Sequence, residues 1–254
     1  MTRITPEDGI AIVTGAGSGL GRALARQLCD AGFTVVGTGR RAEALEETGA
    51  ACADRFQPMP MDVSDFAAVE RGFAESIARH GALALLVNNA AVYPKRDVFD
   101  ETPELFWQSM AINLGGVYAC SWAALQDMGP RGAGRILNVS SYADIAPLPA
   151  SAAYSVSKGA QRVLTRALIA DLFDRFPDIV ITDWLPGALA TDMGIPDGLP
   201  PETAAQWGGK LALMRDQSLN GTIFERDMEL LPPRGLKAKL KDALMMRRPR
   251  PRRL

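Results

Sequence analysis

Along the chain, short β-branched or wholly apolar runs alternate with longer stretches whose apolar residues recur every three or four positions. Ile10-Ala11-Ile12-Val13 predicts a first strand, and Gly19 to Ala31 a helix that aligns Leu20, Leu24 and Leu28 on one face. Phe33 to Val36 predicts a second strand, followed by a short helix over 41–48. A weaker third strand over 56–61 contains Pro58 and Pro60, and a helix over 65–79 has Ser64 available as its cap. Leu83 to Val87 is an unbroken apolar run, the pattern of a strand buried on both faces. Helices over 103–128, 152–176 and 201–214 and strands over 135–139, 179–185 and 220–225 complete the series. Continuous βαβ alternation predicts a doubly wound parallel sheet between two helical layers, an α/β/α sandwich in one domain.

Charge divides the chain unevenly. The 28 Lys+Arg and 29 Asp+Glu give a net −1. Residues 234–254 alone hold nine cations and one acid, 9 − 1 = +8, so the other residues sum to −9. The expected organisation is therefore a catalytic domain over 1–233 and a basic C-terminal tail over 234–254. Three scattered cysteines do not form a disulfide framework, and a single histidine, His80, leaves no His-based metal site or Ser-His-Asp triad. With no apolar run near the roughly 18 residues of a membrane span and no signal-like N-terminus, a cytoplasmic protein is expected.

The first strand runs into Thr14-Gly15-Ala16-Gly17-Ser18-Gly19-Leu20-Gly21. Glycines at a strand-to-helix turn let a diphosphate approach the backbone, where free N–H groups and the helix dipole favour an anion. The spacing is T-G-x-x-x-G-x-G rather than G-x-G-x-x-G. Past the second strand the chain reads Gly37-Thr38-Gly39-Arg40-Arg41, with no acid before Glu43. A carboxylate there would bind ribose hydroxyls, whereas guanidinium groups pair with a 2′-phosphate. NADP(H) is thus preferred, with NAD(H) as the alternative. Arginines simply solvated at a helix start would look the same.

Together with Asn88-Asn89-Ala90, Ser141, Tyr154-Ser155-Val156-Ser157-Lys158 and Pro186-Gly187, this turn resembles the ordered motifs of short-chain dehydrogenases/reductases over roughly residues 8–193. The resemblance implies a Rossmann-type fold and NAD(P)-dependent carbonyl–alcohol chemistry, and a homodimer or homotetramer packed through the helices near 103–128 and 152–176. It implies that Tyr154 is the general acid/base, that Ser141 positions the reacting oxygen and that Lys158 holds the nicotinamide ribose. It further implies that Asn113 anchors a water leading to the lysine, although an asparagine satisfying a helix irregularity fits equally. Asp62 and Val63 resemble the pair flanking the adenine; Asn89 and Ala90, with Asn88, the approach to the ribose; Leu189 and Thr191 the carboxamide contacts. Gly15, Gly17, Ser18, Gly19, Leu20, Gly21, Arg40, Arg41, Pro186 and Gly187 complete the cofactor set. Ala91 replaces a common glycine, and Ser18 stands where many NADP-preferring members carry a cation.

The residues supply their own reason. Tyr154 and Lys158 are one helical turn apart, so both lie on one face, and an ammonium nearby is expected to favour the phenolate. Ser140 competes with Ser141, since strand alternation sends their hydroxyls opposite ways. Residues 192–201, rich in Pro and Gly, suggest a mobile lid. The substrate is a small carbonyl or alcohol compound of unspecified identity. A non-catalytic NADP sensor, or a nucleic-acid-associated protein recruited by its tail, is the alternative, and the tail also suits an anionic membrane.

Overall fold

The computed structural model describes residues 2–231 and 250–254. One eight-stranded sheet runs through the molecule in the order β3-β2-β1-β4-β5-β6-β7-β8. Its strands are β1 (Ile10–Thr14), β2 (Val35–Gly39), β3 (Phe56–Pro60), β4 (Leu83–Asn88), β5 (Ala133–Val139), β6 (Asp178–Leu185), β7 (Ile223–Glu225) and β8 (Met228–Leu230). All neighbours are parallel except the terminal β7–β8 hairpin. β1 pairs with β2 on one side and β4 on the other, so the order of connection reverses there and opens a crevice at the strands' carboxyl ends.

Seven helices cover the sheet: α1 (Gly19–Asp30), α2 (Ala42–Gly49), α3 (Phe66–His80), α4 (Pro103–Met110), α5 (Gly116–Arg131), α6 (Ala152–Leu172) and α7 (Pro201–Leu213). Alternation along the strands splits the core in two. Val13, Leu85, Val180 and Trp184 pack with Leu24 and Leu28 of α1 and Leu211 of α7. Ile12, Leu86, Ile136 and Ile181 pack on the opposite face with Phe73 of α3, Ala124 of α5 and Leu172 of α6. Pro58 and Pro60 are accommodated because β3 is the edge of the sheet, with a ladder on one side only.

Several boundaries differ from the sequence reading. Asp65, not Ser64, caps α3: its Oδ1 accepts from the Ala68 N–H at 3.0 Å, while the Ser64 hydroxyl is turned to Asp62 at 2.7 Å. The long helix expected over 103–128 contains a π-helical segment at Ala111–Gly115, which joins α4 to α5. α6 stops at Leu172, short of Phe176, which precedes Pro177. The β8 strand has no counterpart in the sequence pattern, being too short to show a period.

Most of the basic tail lies outside the described residues. Its end does not: Arg252 and Leu254 run antiparallel to β8, with Glu229 N–H donating to Arg252 O and Leu254 N–H to Asp227 O, both at 2.9 Å. The Arg252 guanidinium reaches both Glu229 oxygens at 2.7 and 2.8 Å. Arg135 in β5 is fully buried and, among the described residues, has no acid partner; it donates to the carbonyls of Ile136, Val180 and Leu211. Burial pushes its guanidinium down to about 9.

Candidate active site

A cavity of about 1270 Å³ follows the crevice at the strands' carboxyl ends. One end is built from backbone. Gly15 adopts φ +69°, a left-handed conformation that glycine takes without strain. A Cβ on Gly21 would overlap the Gly15 carbonyl and the Asn89 amide, so α1 can begin this close to β1 only without a side chain. Asn89 locks the turn to β4: its Nδ2 donates to Thr14 O at 2.9 Å, and the N–H groups of Asn89 and Ala90 both donate to Thr14 Oγ1. Gly17, Ser18, Gly19, Leu20, Arg40, Arg41, Asp62 and Val63 line this end. Asp62 is held ionised: burial pushes its carboxyl up, but hydrogen bonds from Ser64 and the charge of Arg40 outweigh it and lower it. Ala91 also lines the wall with an ordinary negative φ, so its methyl fits where glycine is common.

Asn88 lies elsewhere. Its amide points beneath the cavity, donating to Ser121 Oγ at 3.0 Å and Asn138 Oδ1 at 2.9 Å, and does not line the wall. The expectation that it approaches the ribose is corrected: Asn88 is the last residue of β4 and its side chain turns inward, while Asn89 and Ala90, past the strand end, line the crevice.

At the other end α6 presents Tyr154 and Lys158 to the same space. Ser141, just past β5, lines the cavity beside Tyr154 and draws its phenol down. The serine oxygen accepts from Ala143 N–H at 3.2 Å, which leaves its proton free to donate. Ser140 also lines the cavity, and its hydroxyl is buried with no hydrogen-bond partner among the described residues. Burial raises the Tyr154 phenol, Ser141 lowers it and Tyr93 raises it again; the net direction is up. Lys158, one helical turn on, makes no hydrogen bond to the phenol. Its ammonium instead donates to Val139 O at 2.7 Å and Gln161 Oε1 at 3.0 Å, and burial pushes it down to about 8 against the pull of Asp183.

Asn113 sits in the π-helical segment, fully buried. Its Oδ1 accepts from Val92 N–H at 2.8 Å, and its Nδ2 donates to Val92 O at 2.9 Å and Ser157 Oγ at 3.1 Å. The amide is thus committed to bracing the strand-four loop against α6 rather than reaching Lys158. Pro186, Gly187, Leu189 and Thr191 follow β6 along the cavity wall.

Residues 188–199 form a hydrogen-bonded arch, not an open flap. Ala190 N–H donates to Leu199 O and Leu199 N–H to Ala188 O, both at 2.9 Å, and Ile195 N–H donates to Leu189 O at 3.0 Å.

Three elements were not singled out from sequence. Asp183, buried in β6, accepts from Thr165 Oγ1 at 2.9 Å, and burial pushes its carboxyl up to about 7 against nearby cations. Gln161 bridges toward Lys158, and the Glu225–Arg226 hairpin closes the far wall. An acid inside the apolar run Ile179 to Leu185 was the available signal for the first.

The residues present suit a dinucleotide. The turn has room only because Gly15 and Gly21 lack side chains, and the buried Thr38 hydroxyl at the wall has no hydrogen-bond partner. Among the described residues no group of three His, Cys, Asp or Glu is placed to hold a metal ion, and no helix is long and apolar enough to cross a membrane.

A family model described as short chain dehydrogenase matches residues 9–198. The chain is 37% identical over 169 residues to 2-(R)-hydroxypropyl-CoM dehydrogenase of Xanthobacter autotrophicus, covering 64% of this chain and 68% of that protein. It is 37% identical over 163 residues to carbonyl reductase (NADPH) 2 of Sus scrofa, covering 64% and 65%. These alignments span about two thirds of each relative. A crystal structure provisionally described as a gluconate dehydrogenase, from Agrobacterium tumefaciens, superposes with a TM-score of 0.80 over 89% of this chain and 96% of the other at 23% identity, a likeness of fold. With its Rossmann-type sheet and this site, the chain belongs to the short-chain dehydrogenase/reductase family. It is an NAD(P)-dependent oxidoreductase of the CH–OH/C=O couple.

Proposed function

We propose that the protein reduces a ketone or aldehyde with NADPH, or oxidises the matching secondary alcohol, with Tyr154 moving the proton. One observation carries this: Tyr154, Ser141 and the buried Lys158 line a single cavity whose other end is a glycine turn.

When bound, the nicotinamide supplies or accepts the hydride. The turn from Gly15 to Gly21 would hold the diphosphate, and Asp62, Val63, Asn89 and Ala90 the adenosine. Pro186, Gly187, Leu189 and Thr191 would hold the nicotinamide end. Burial keeps Tyr154 protonated at neutral pH, the form needed to deliver a proton in the reducing direction. Ser141 donates to the same oxygen and orients it. Lys158 supplies positive charge below the tyrosine, and Asp183 favours its charged form. Asn113 fixes the backbone on which Tyr154 stands, through Ser157, whose hydroxyl donates to Tyr154 O at 2.7 Å.

NADP(H) preference is supported by Arg40 and Arg41 at the cavity edge with no acid beside the ribose position except Asp62, which Arg40 faces. Self-association is supported by exposed Trp107 on α4, Tyr118 and Trp122 on α5 and Val163 on α6. The deciding experiment is Tyr154→Phe, followed by nicotinamide absorbance. A fall in kcat of about 10²–10⁴-fold with NADPH affinity kept is expected; a variant as fast as wild type sinks the assignment.

A further inference from the structure

The half of the cavity beyond Tyr154 differs in kind from the cofactor half. Its wall is formed by large apolar side chains on two separate loops. Tyr142 and Leu148 lie on one, Met193 and Ile195 on the arch over 188–199. They are 42%, 64%, 38% and 49% exposed. The arch is tied at its root by the bonds given above, so these side chains are held at the cavity rather than swept into the core. Tyr93 completes the wall: its ring stacks on that of Tyr154 with centroids 4.6 Å apart and planes at 21°. The way to the tyrosine hydroxyl thus passes between an aromatic floor and aliphatic sides.

Charge at the rim does not select an anion. Lys95 and Arg226 line it, but so do Asp192 and Glu225. Lys95 lies against the Tyr93 ring, 5.6 Å from its centroid, and Glu225 accepts from the Tyr142 hydroxyl at 3.3 Å. The total volume, about 1270 Å³, exceeds the roughly 300–1,000 Å³ of an ordinary small-molecule site, so space remains beside a dinucleotide. Exposed apolar side chains converging on one reactive hydroxyl gain by being covered by an apolar ligand.

We propose that the second reactant is a ketone, or its secondary alcohol, carried on a bulky apolar body that lies between Tyr93, Leu148 and Ile195. Compact charged carbonyl compounds are poor substrates. This rests on the oxidoreductase reading above and names its substrate class.

The test is a series of methyl ketones of increasing alkyl and aryl size beside compact 2-keto acids, each reduced by the full chain with NADPH. Expected is a kcat/KM that climbs several-fold with each early methylene, and that flattens in Leu148→Ser and Ile195→Ser while NADPH affinity stays within about twofold. Both positions are exposed, so these variants should fold. A flat series, or preference for the keto acids, overturns the proposal and leaves the reductase reading intact. Should no carbonyl compound turn over, displacement of the neutral dye Nile red from the NADPH-bound protein reads the same wall. Displacement strengthening with ketone size supports the substrate class even as the reductase reading fails, and none overturns it.

Discussion

The two ends of the cavity are made of different materials. The end proposed for the dinucleotide is built from glycines, backbone amides and a few side chains fixed by strand ends; the end proposed for the substrate is built from large side chains on loops after β4, β5 and β6. A diphosphate is recognised by dipoles and absence of bulk, so its site has little freedom of composition. An organic substrate is recognised by shape, so its site varies with the loops while the scaffold stays. Tyr154 and Lys158 stand where the two materials meet.

That contrast can be broken at graded cost. The largest effect is expected at the junction: Lys158→Met should lower kcat by about 10³-fold for every substrate, and a substrate-dependent loss would show that the lysine belongs to one end only. Next, Gly21→Ala should weaken NADPH binding at least tenfold or destabilise the fold by about 3 kcal/mol, read by fluorescence titration and thermal melting. Its methyl would strike both the Gly15 carbonyl and the Asn89 amide. Arg40→Glu removes a charge-assisted contact to a 2′-phosphate; NADPH should lose about 2 kcal/mol relative to NADH, and unchanged discrimination would remove Arg40 from the site.

A smaller effect concerns the buried pair below the junction. The Asp183 carboxyl, pushed up to about 7 in the folded protein, binds a proton on folding above its ordinary range, so stability falls as pH rises from about 4 to 7. Lys158, pushed down to about 8, releases one on folding between about 8 and 10.4, so stability rises again there. Asp183→Asn should abolish the falling limb, gaining about 2 kcal/mol near pH 7.5 and little at pH 4; urea titrations across that range would reveal it. The smallest change is Arg252→Ala. Losing the two-point contact with Glu229 should cost about 1 kcal/mol and loosen the hairpin at the substrate end, leaving NADPH affinity alone.

The same contrast explains what could be read in advance. The series of strands and helices, the glycine turn after β1 and the shared face of Tyr154 and Lys158 were legible because each is a local pattern: alternation, glycine spacing, one helical turn. Ser64 misled because two adjacent polar residues can each cap a helix, and the competition was decided by Asp62 drawing Ser64 away. The burial of the tyrosine was not legible, since the Tyr93 ring that stacks on it comes from a loop far away in sequence. Asn113 could be read as a water anchor or as a residue satisfying a helix irregularity; only the folded loop at Val92 reveals the partners that hold its amide in the second role. Residues 192–201 read as a mobile lid from their prolines and glycines. Gly194 and Gly198 instead lie where a side chain would strike the Leu189 backbone, so they allow tight closure rather than freedom.

Arg135 brings a permanent cation into the hydrocarbon interior, and the carbonyl of Leu211 in the last turn of α7 helps neutralise it. The negative pole of that helix serves as counter-ion. Pulling α7 away from the sheet would strand the guanidinium, so the helix cannot swing as substrate enters or leaves. The hinge for any gating by the arch must lie ahead of Pro200, and the stroke of the entrance is set by the short span between β6 and that anchored helix.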